Sequence, residues 1–234
     1  CIRKADNTYN MINHGDKIMI GLSGGKDSLA LVKLLGQRAK ISRPSFNVIA
    51  LHVQMKEISY ESNTEYLESF CKQNGVEFVC KEASIGYDFS SENENRKTKT
   101  PCFLCSWNRR KTLFETAQSL GCNKIALGHH RDDIVHTTML NLFFQGQFST
   151  MPAMLKMNKM PITIIRPLCL MDEVDLKKFA LNNDFKKQDK LCPHEHESNR
   201  TIIANIFKQI EELNPEARYC VMHALETENK LIEI

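Results

Sequence analysis

The stretch Lys17-Ile18-Met19-Ile20-Gly21-Leu22-Ser23-Gly24-Gly25-Lys26-Asp27-Ser28 decides the fold. An apolar run from Lys17 to Leu22 reads as a strand. It enters a Gly-Gly turn, and a helix is expected from about Asp27 to Gly36. Two consecutive glycines permit backbone conformations closed to other residues and a close approach to a ligand. The amides that open the helix have no carbonyl partner, and the helix dipole is positive there, so the turn is built to hold phosphate. Ser23 and Ser28 add hydroxyls and Lys26 adds a point charge. Asp27 beside them would repel a bare phosphate, which argues for a bridging magnesium ion. The pattern is neither G-x-x-x-x-G-K-[ST] nor G-x-G-x-x-G. The bland alternative is a tight turn whose serine merely caps a helix.

Outward from this loop, short apolar runs alternate with amphipathic stretches. Strands are expected at Asn47–Val53, Val76–Lys81, Lys124–Gly128 and Ile162–Arg166. Helices are expected at Glu61–Asn74, Leu104–Leu120, Arg131–Phe144 and Asp172–Asn183, the last with Asp172 as N-cap, and two more follow Pro193. Gly75 and Gly121 are placed as helix stops. Glu82 to Pro101 reads as a long polar loop. Five strands alternating with helices predict an α/β fold with a doubly wound, mostly parallel sheet and extra C-terminal helices from about residue 190. Such sheets take their ligand beyond the carboxyl ends of the strands. The whole chain, 1–234, reads as a single domain.

Composition sets the outer bounds. The chain has 234 residues, 42% hydrophobic and 25% charged, which excludes wholesale disorder. No apolar run approaches the roughly 18 residues that a membrane helix needs, so no membrane partner and a cytoplasmic location are expected. The chain opens at Cys1 rather than methionine, so residues ahead of it are expected to be missing. The net charge of +3 is too mild to announce nucleic acid by itself. The charge is clustered, however. Arg96, Lys97, Lys99, Arg109, Arg110 and Lys111 fall in one segment without an acid, with Trp107, the single tryptophan, among them. Such a segment can contact a phosphate backbone and stack on a base, or it can be no more than a solvated basic face.

There are nine cysteines. Cys71, Cys80, Cys122, Cys169 and Cys220 sit singly and read as structural. Cys102 and Cys105 form a C-x-x-C at a loop-to-helix junction, and Cys192 is a third thiol in Cys192-Pro193-His194-Glu195-His196. The pair could be half of a zinc site completed by His194 and His196, a redox pair, or part of an iron–sulfur cluster whose three thiolates leave one iron open. At the fourth strand, Gly128 reads as letting a nucleotide approach the backbone. Asp133 is a candidate to bind magnesium or orient the ATP side, or with Asp132 to cap a helix. His129 and His130 could contact phosphate or simply pack. His52, placed at the end of the second strand, is a candidate wall of an adenine pocket.

The loop Ser23-Gly24-Gly25-Lys26-Asp27-Ser28 resembles the S-G-G-x-D-S hallmark of the PP-loop ATPases, the adenine nucleotide alpha hydrolase-like fold. Members cleave ATP between the α and β phosphates. Pro101-Cys102-x-x-Cys105 with Arg109-Arg110, Gly128-His129-His130-Arg131-Asp132-Asp133 and Ile165-Arg166-Pro167-Leu168 together resemble the tRNA 2-thiocytidine biosynthesis family, from about Met11 to Arg200. The resemblance implies ATP and Mg²⁺ held by Ser23 to Ser28. It implies a [4Fe-4S] cluster on Cys102, Cys105 and Cys192, with zinc as the alternative. It implies tRNA as substrate, a sulfur donor such as a cysteine desulfurase, and, as in other members, a homodimer. The implied reaction adenylates the C2 oxygen of an anticodon-loop cytidine and replaces it with sulfur, with Asp27 and the three cysteines as catalytic residues. Two departures stand out: Glu195 occupies the place of a second cysteine in P-C-x-x-C-G, and Lys111 replaces a common glycine. A lysidine-type or amide-forming synthetase with structural zinc, thiolation of another base, and a non-catalytic RNA-binding module are the competing readings.

Overall fold

The computed structural model describes residues 2–56, 63–84, 101–186 and 199–233, with backbone alone at 101–102. The elements in chain order are α1 (Ile2–Tyr9), β1 (Lys17–Gly21), α2 (Lys26–Ala39), β2 (Asn47–Met55), α3 (Thr64–Gln73), β3 (Glu77–Ala83), α4 (Pro101–Ser119) and β4 (Lys124–Ala126). They continue with α5 (Arg131–Gln145), β5 (Met154–Lys156), β6 (Thr163–Ile165), α6 (Glu173–Asn182), α7 (Asn199–Leu213), α8 (Ala217–Thr227) and β7 (Ile232–Glu233). Among the described residues the sheet has seven strands in the order β3-β2-β1-β4-β6-β5-β7. The five expected strands are the parallel ones. The expected count of five is corrected by β5, antiparallel to β6, and by β7, parallel to β5.

The core explains the parallel arrangement. Ile18, Met19 and Ile20 of β1 are all fully buried, so both faces of the sheet are covered. Ile18 and Ile20 pack with Leu29, Leu31 and Leu35, all of α2, in the larger cluster. Met19 points the other way, against Ile49, Leu51 and Ile125 of the sheet and Leu113 and Ala117 of α4. Consecutive side chains of a strand point to opposite faces, which produces this division.

Local chemistry moves some boundaries. Asn63 accepts a bond from the Tyr66 amide at 2.8 Å and caps α3 at Thr64, while Glu61, where the sequence placed the start, lies outside the described residues. Asp172 occupies the N-cap position of α6 without making a side-chain cap bond. Its carboxylate instead takes Arg131, with the Tyr219 hydroxyl donating at 3.1 Å. Cys71, Cys122 and Cys169 are buried as structural cysteines should be. Cys80, on the edge strand β3, and Cys220, both read as structural, are exposed. No helix among the described residues is long and apolar enough to cross a membrane.

Candidate nucleotide and sulfur site

β1 and β4 are neighbours whose connections leave in opposite directions, β1 toward β2 and β4 toward β6. The crevice at their carboxyl ends is the switch point of the sheet. The phosphate loop fills it. Leu22 extends the β1 ladder by donating to the Leu51 carbonyl at 2.9 Å, and Gly24 then turns the chain with φ of +80°, a conformation that other residues rarely adopt. Gly25 caps α2 in extended conformation with no side-chain cap bond. The first bond across that turn runs from the Leu29 amide to the Gly25 carbonyl, leaving the earlier amides of α2 as anion donors. The serines brace the turn. Ser28 is buried and donates to the Gly25 carbonyl at 2.9 Å, and Ser23 Oγ lies 3.2 Å from Ser28 Oγ and accepts from the Gly25 amide at 3.3 Å.

Lys26 Nζ lies 3.1 Å from Asp27 Oδ2 and 3.4 Å from Glu173 Oε1 at the start of α6. Burial alone would lower the Lys26 pKa. The two carboxylates, Asp27 foremost, outweigh it and raise the pKa, so the loop lysine stays charged. The other Asp27 oxygen, Oδ1, is buried with no hydrogen-bond partner. An orphaned carboxylate oxygen beside a phosphate cradle fits a hard cation such as magnesium, which takes one or two protein carboxylates and completes its shell with phosphate and water. Accordingly, no cluster of three His, Cys, Asp or Glu residues able to hold a metal exists among the described residues.

Gly128 lies beyond β4, against the start of the loop helix. A Cβ there would meet the Asp27 carbonyl carbon at 3.1 Å and the Asp27 oxygen and Ser28 nitrogen at 3.2 Å. The glycine therefore lets the backbone of the loop helix come close. Asp133 Oδ2 accepts from the His130 amide at 3.0 Å and so caps α5. Asp132 accepts from the Glu173 amide at 2.8 Å and pairs with Arg218 at 3.3 Å, tying α5 to α6 and α8. His130 is buried between these two carboxylates, each at 3.4 Å. Burial alone would lower its pKa, but the acids Asp132, Asp133 and Asp27 prevail and raise it. His129 behaves oppositely. Burial, then the Arg166 charge, lowers its pKa to about 4. Arg166 Nε donates to His129 Nδ1 at 3.2 Å, so the neutral ring carries its proton on Nε2 as a donor at this edge of the sheet.

Beside the loop lies a pocket of about 150 Å³, a volume that accepts one aromatic ring. Leu22, Ser23, His52, Val53, Arg109 and Leu113 are among its walls. His52 lines this pocket from inside β2 rather than from its end, its Nδ1 2.8 Å from the Leu22 carbonyl. Arg109 and Arg110 both line this pocket, with Arg110 also exposed at its rim, which separates them from a purely RNA-facing surface.

The PP-loop domain model ATP_bind_3 matches residues 1–202. A tRNA-cytidine(32) 2-sulfurtransferase of Francisella tularensis is 36% identical over 223 residues, covering 95% of this chain and 82% of that protein. This chain belongs to that PP-loop family of tRNA 2-thiocytidine biosynthesis proteins. A second relative of the same designation, from Ralstonia pickettii, is 40% identical over 79% of this chain and 57% of its own length. The U34-tRNA thiolase NcsA from Methanococcus maripaludis, solved with its [4Fe-4S] cluster, superposes with a TM-score of 0.76 at 26% identity, covering 97% of this chain and 76% of that one.

The cysteine pair lies at the start of α4. Cys102 and Cys105 stand three residues apart in the opening turns of this helix. Cys105 is half-buried and packs with Leu104 against Met55 and Ala83, at the carboxyl ends of β2 and β3. The donor set of soft thiolates suits iron–sulfur or zinc chemistry. Cys192, His194 and His196 lie outside the described residues, as do Arg96, Lys97 and Lys99; Cys102 is described in its backbone alone. Trp107 and Lys111 are exposed on α4, with the Lys111 ammonium 5.7 Å from the Trp107 ring centroid. Glu173 went unread in the sequence because nothing local links it to Lys26, 147 positions earlier.

Proposed function

We propose that this protein is an ATP-dependent tRNA sulfurtransferase that thiolates C2 of an anticodon-loop cytidine. The observation that carries the reading is the course of α4. The helix begins at the cysteine pair and, one turn after Cys105, contributes Arg109 to the pocket beside the phosphate loop. Four residues of helix span roughly 6 Å, so sulfur and nucleotide chemistry meet on one element.

In this mechanism the adenine ring enters the pocket walled by His52 and Leu113, and the phosphates lie along Gly24 to Ser28. The cytidine O2 attacks the α-phosphorus of ATP, the bond to the β-phosphate oxygen breaks, and pyrophosphate leaves. The first-turn amides of α2 and Lys26 stabilise the charge that accumulates on the leaving group. Asp27 would hold a magnesium ion, which would further neutralise the charge of the pyrophosphate. Lys26 must exchange its carboxylate partners for phosphate when ATP binds, and its raised pKa keeps it cationic while it does so. A sulfur nucleophile then attacks C2, the C2–O bond breaks, and AMP departs with the original oxygen. Cys102, Cys105 and Cys192 would hold a [4Fe-4S] cluster, which supplies an open iron position for sulfur. The neutral His129, its tautomer set by Arg166, offers an N–H to an anionic oxygen without being a general base.

Anaerobic purification followed by measurement of iron, acid-labile sulfide and zinc tests the metal half of this reading. Close to four irons and four sulfides per chain support it. A colourless protein with one zinc after reconstitution would move the assignment to a synthetase with a structural metal.

A further inference from the structure

The outer face of α4 is unlike an ordinary solvated helix face. Phe103, Trp107 and Lys111 recur every four residues, so they form one stripe along the helix. Phe103 is 46% exposed and Trp107 is 52% exposed. The Lys111 ammonium sits over the Trp107 ring, and the exposed Arg110 stands between that stripe and the nucleotide pocket. The opposite face is buried through Leu113 and Ala117 against the sheet. Rotation and burial thus divide one helix between a pocket-and-core side and an aromatic, basic outer side.

We propose that this outer stripe is a stacking platform for unpaired nucleotides of the RNA substrate, with Trp107 taking a base, Phe103 extending the apolar surface toward the cysteines, and Lys111 and Arg110 taking phosphate. The proposal rests on the tRNA thiolation reading and adds how the loop is held. A base whose C2 must be reached has to leave its stack, and its neighbours lose a stacking partner when it does. Aromatic rings beside positive charge replace that partner and neutralise the backbone, a combination that favours single strands over duplex. Charge complementarity selects RNA over a protein partner. The stripe adjoins Arg109 and Arg110, and no acid interrupts residues 96–111 of the sequence.

Trp107 is the only tryptophan, so its emission reports on the platform directly. Full-length protein is titrated with an anticodon stem–loop RNA and, separately, with a fully paired RNA of equal phosphate count. The platform predicts quenching by the stem–loop and little change with the duplex. Trp107→Ala should weaken stem–loop binding by about 10- to 100-fold, with a much smaller effect on duplex, while Trp107→Phe retains most of the affinity. Lys111→Gln should weaken both RNAs alike and reduce the slope of log affinity against log salt by about 0.7. A thermal melt of each variant separates misfolding from lost contact, because only loss of a stacking site removes the preference for loop over duplex. Unchanged emission in wild type that binds and thiolates RNA would overturn the platform and leave the enzyme reading standing. Failure of the wild type to bind tRNA at all would sink both. Emission that tracks protein concentration rather than RNA would assign the stripe to a second copy and overturn the proposal.

Discussion

Replacing Gly128 with alanine perturbs the phosphate loop without changing any side chain of the loop itself. The added Cβ would lie 3.1–3.2 Å from the carbonyl carbon and oxygen of Asp27 and the nitrogen of Ser28. These three atoms belong to one rigid peptide unit, so no side chain can swing aside and the whole plane must shift by a few tenths of an ångström. That unit carries the Ser28 amide, one of the first-turn donors of α2. Catalytic geometry tolerates roughly 0.5 Å, and a 1 Å error costs about 100-fold, so about a tenfold loss in ATP-dependent turnover is expected. Stability should fall by about 0–2.5 kcal/mol, a range that overlaps the control's loss. Overpacking costs about 1–3 kcal/mol, while exchange of glycine for alanine returns about 0.4–1 kcal/mol through the unfolded chain. Gly121→Ala is the matched control. Gly121 has φ of +66° and no neighbour within 4 Å of a built Cβ, so the substitution should cost about 1–2 kcal/mol in stability through strain alone. Calorimetric titration with a non-hydrolysable ATP analogue, pyrophosphate release and thermal unfolding measure the two variants side by side. The reasoning is refuted if Gly128→Ala keeps wild-type ATP affinity and turnover within about twofold, or if Gly121→Ala loses as much of either.

Asp27→Asn should reduce pyrophosphate release at least about 100-fold and flatten its magnesium dependence, as expected when a group neutralising transition-state charge is removed. Cys192→Ala should lose both iron and tRNA thiolation; retained thiolation contradicts three cysteine ligands. Arg218→Ala strips a partner from Asp132, Asp172 and Glu211, with which it pairs at 3.3, 3.6 and 2.6 Å. The loss should be about 2 kcal/mol, below the 3–5 kcal/mol of a fully buried pair because the site is partly wet, read from urea unfolding. His129 makes stability pH-dependent. Its folded pKa of about 4 lies below the ordinary 6.5, so its contribution is complete above pH 6.5 and is lost as pH falls toward 4. His130, raised, contributes in the opposite sense and loses its contribution as pH rises through its folded pKa. Between neutral pH and about pH 4.5 the urea midpoint of wild type should therefore drop relative to that of His129→Gln, whose amide oxygen can still accept from Arg166.

β1 and β4 were legible because each is an apolar run buried on both faces, and the edge strand β3, largely exposed, was legible from Phe78 and Val79 following the Gly75 turn. β5 and β7, three and two residues long, carry too little pattern to be read; their pairing with β6 and with each other defines them. α1 was readable in principle, since Ile2, Ala5 and Tyr9 are buried at helical spacing. In the site, the Gly-Gly turn and Asp27 were read from local chemistry. Gly128 was recognised as a close-approach position, but a glycine does not tell whether ligand or backbone approaches. The basic run of α4 was taken as one surface, although a rotation of 100° per residue already separates Arg109 from Trp107 and Lys111. The contacts of Asp132 with α6 and α8 and of Glu173 with Lys26 join distant segments and leave no trace in the local sequence.

The central claim is most directly tested by nucleoside mass spectrometry of tRNA incubated anaerobically with the reconstituted protein, Mg-ATP and inorganic sulfide. The account predicts 2-thiocytidine that requires ATP, with AMP and pyrophosphate formed in step with it. Thiolation confined to another base, or none while iron is fully incorporated, would contradict it.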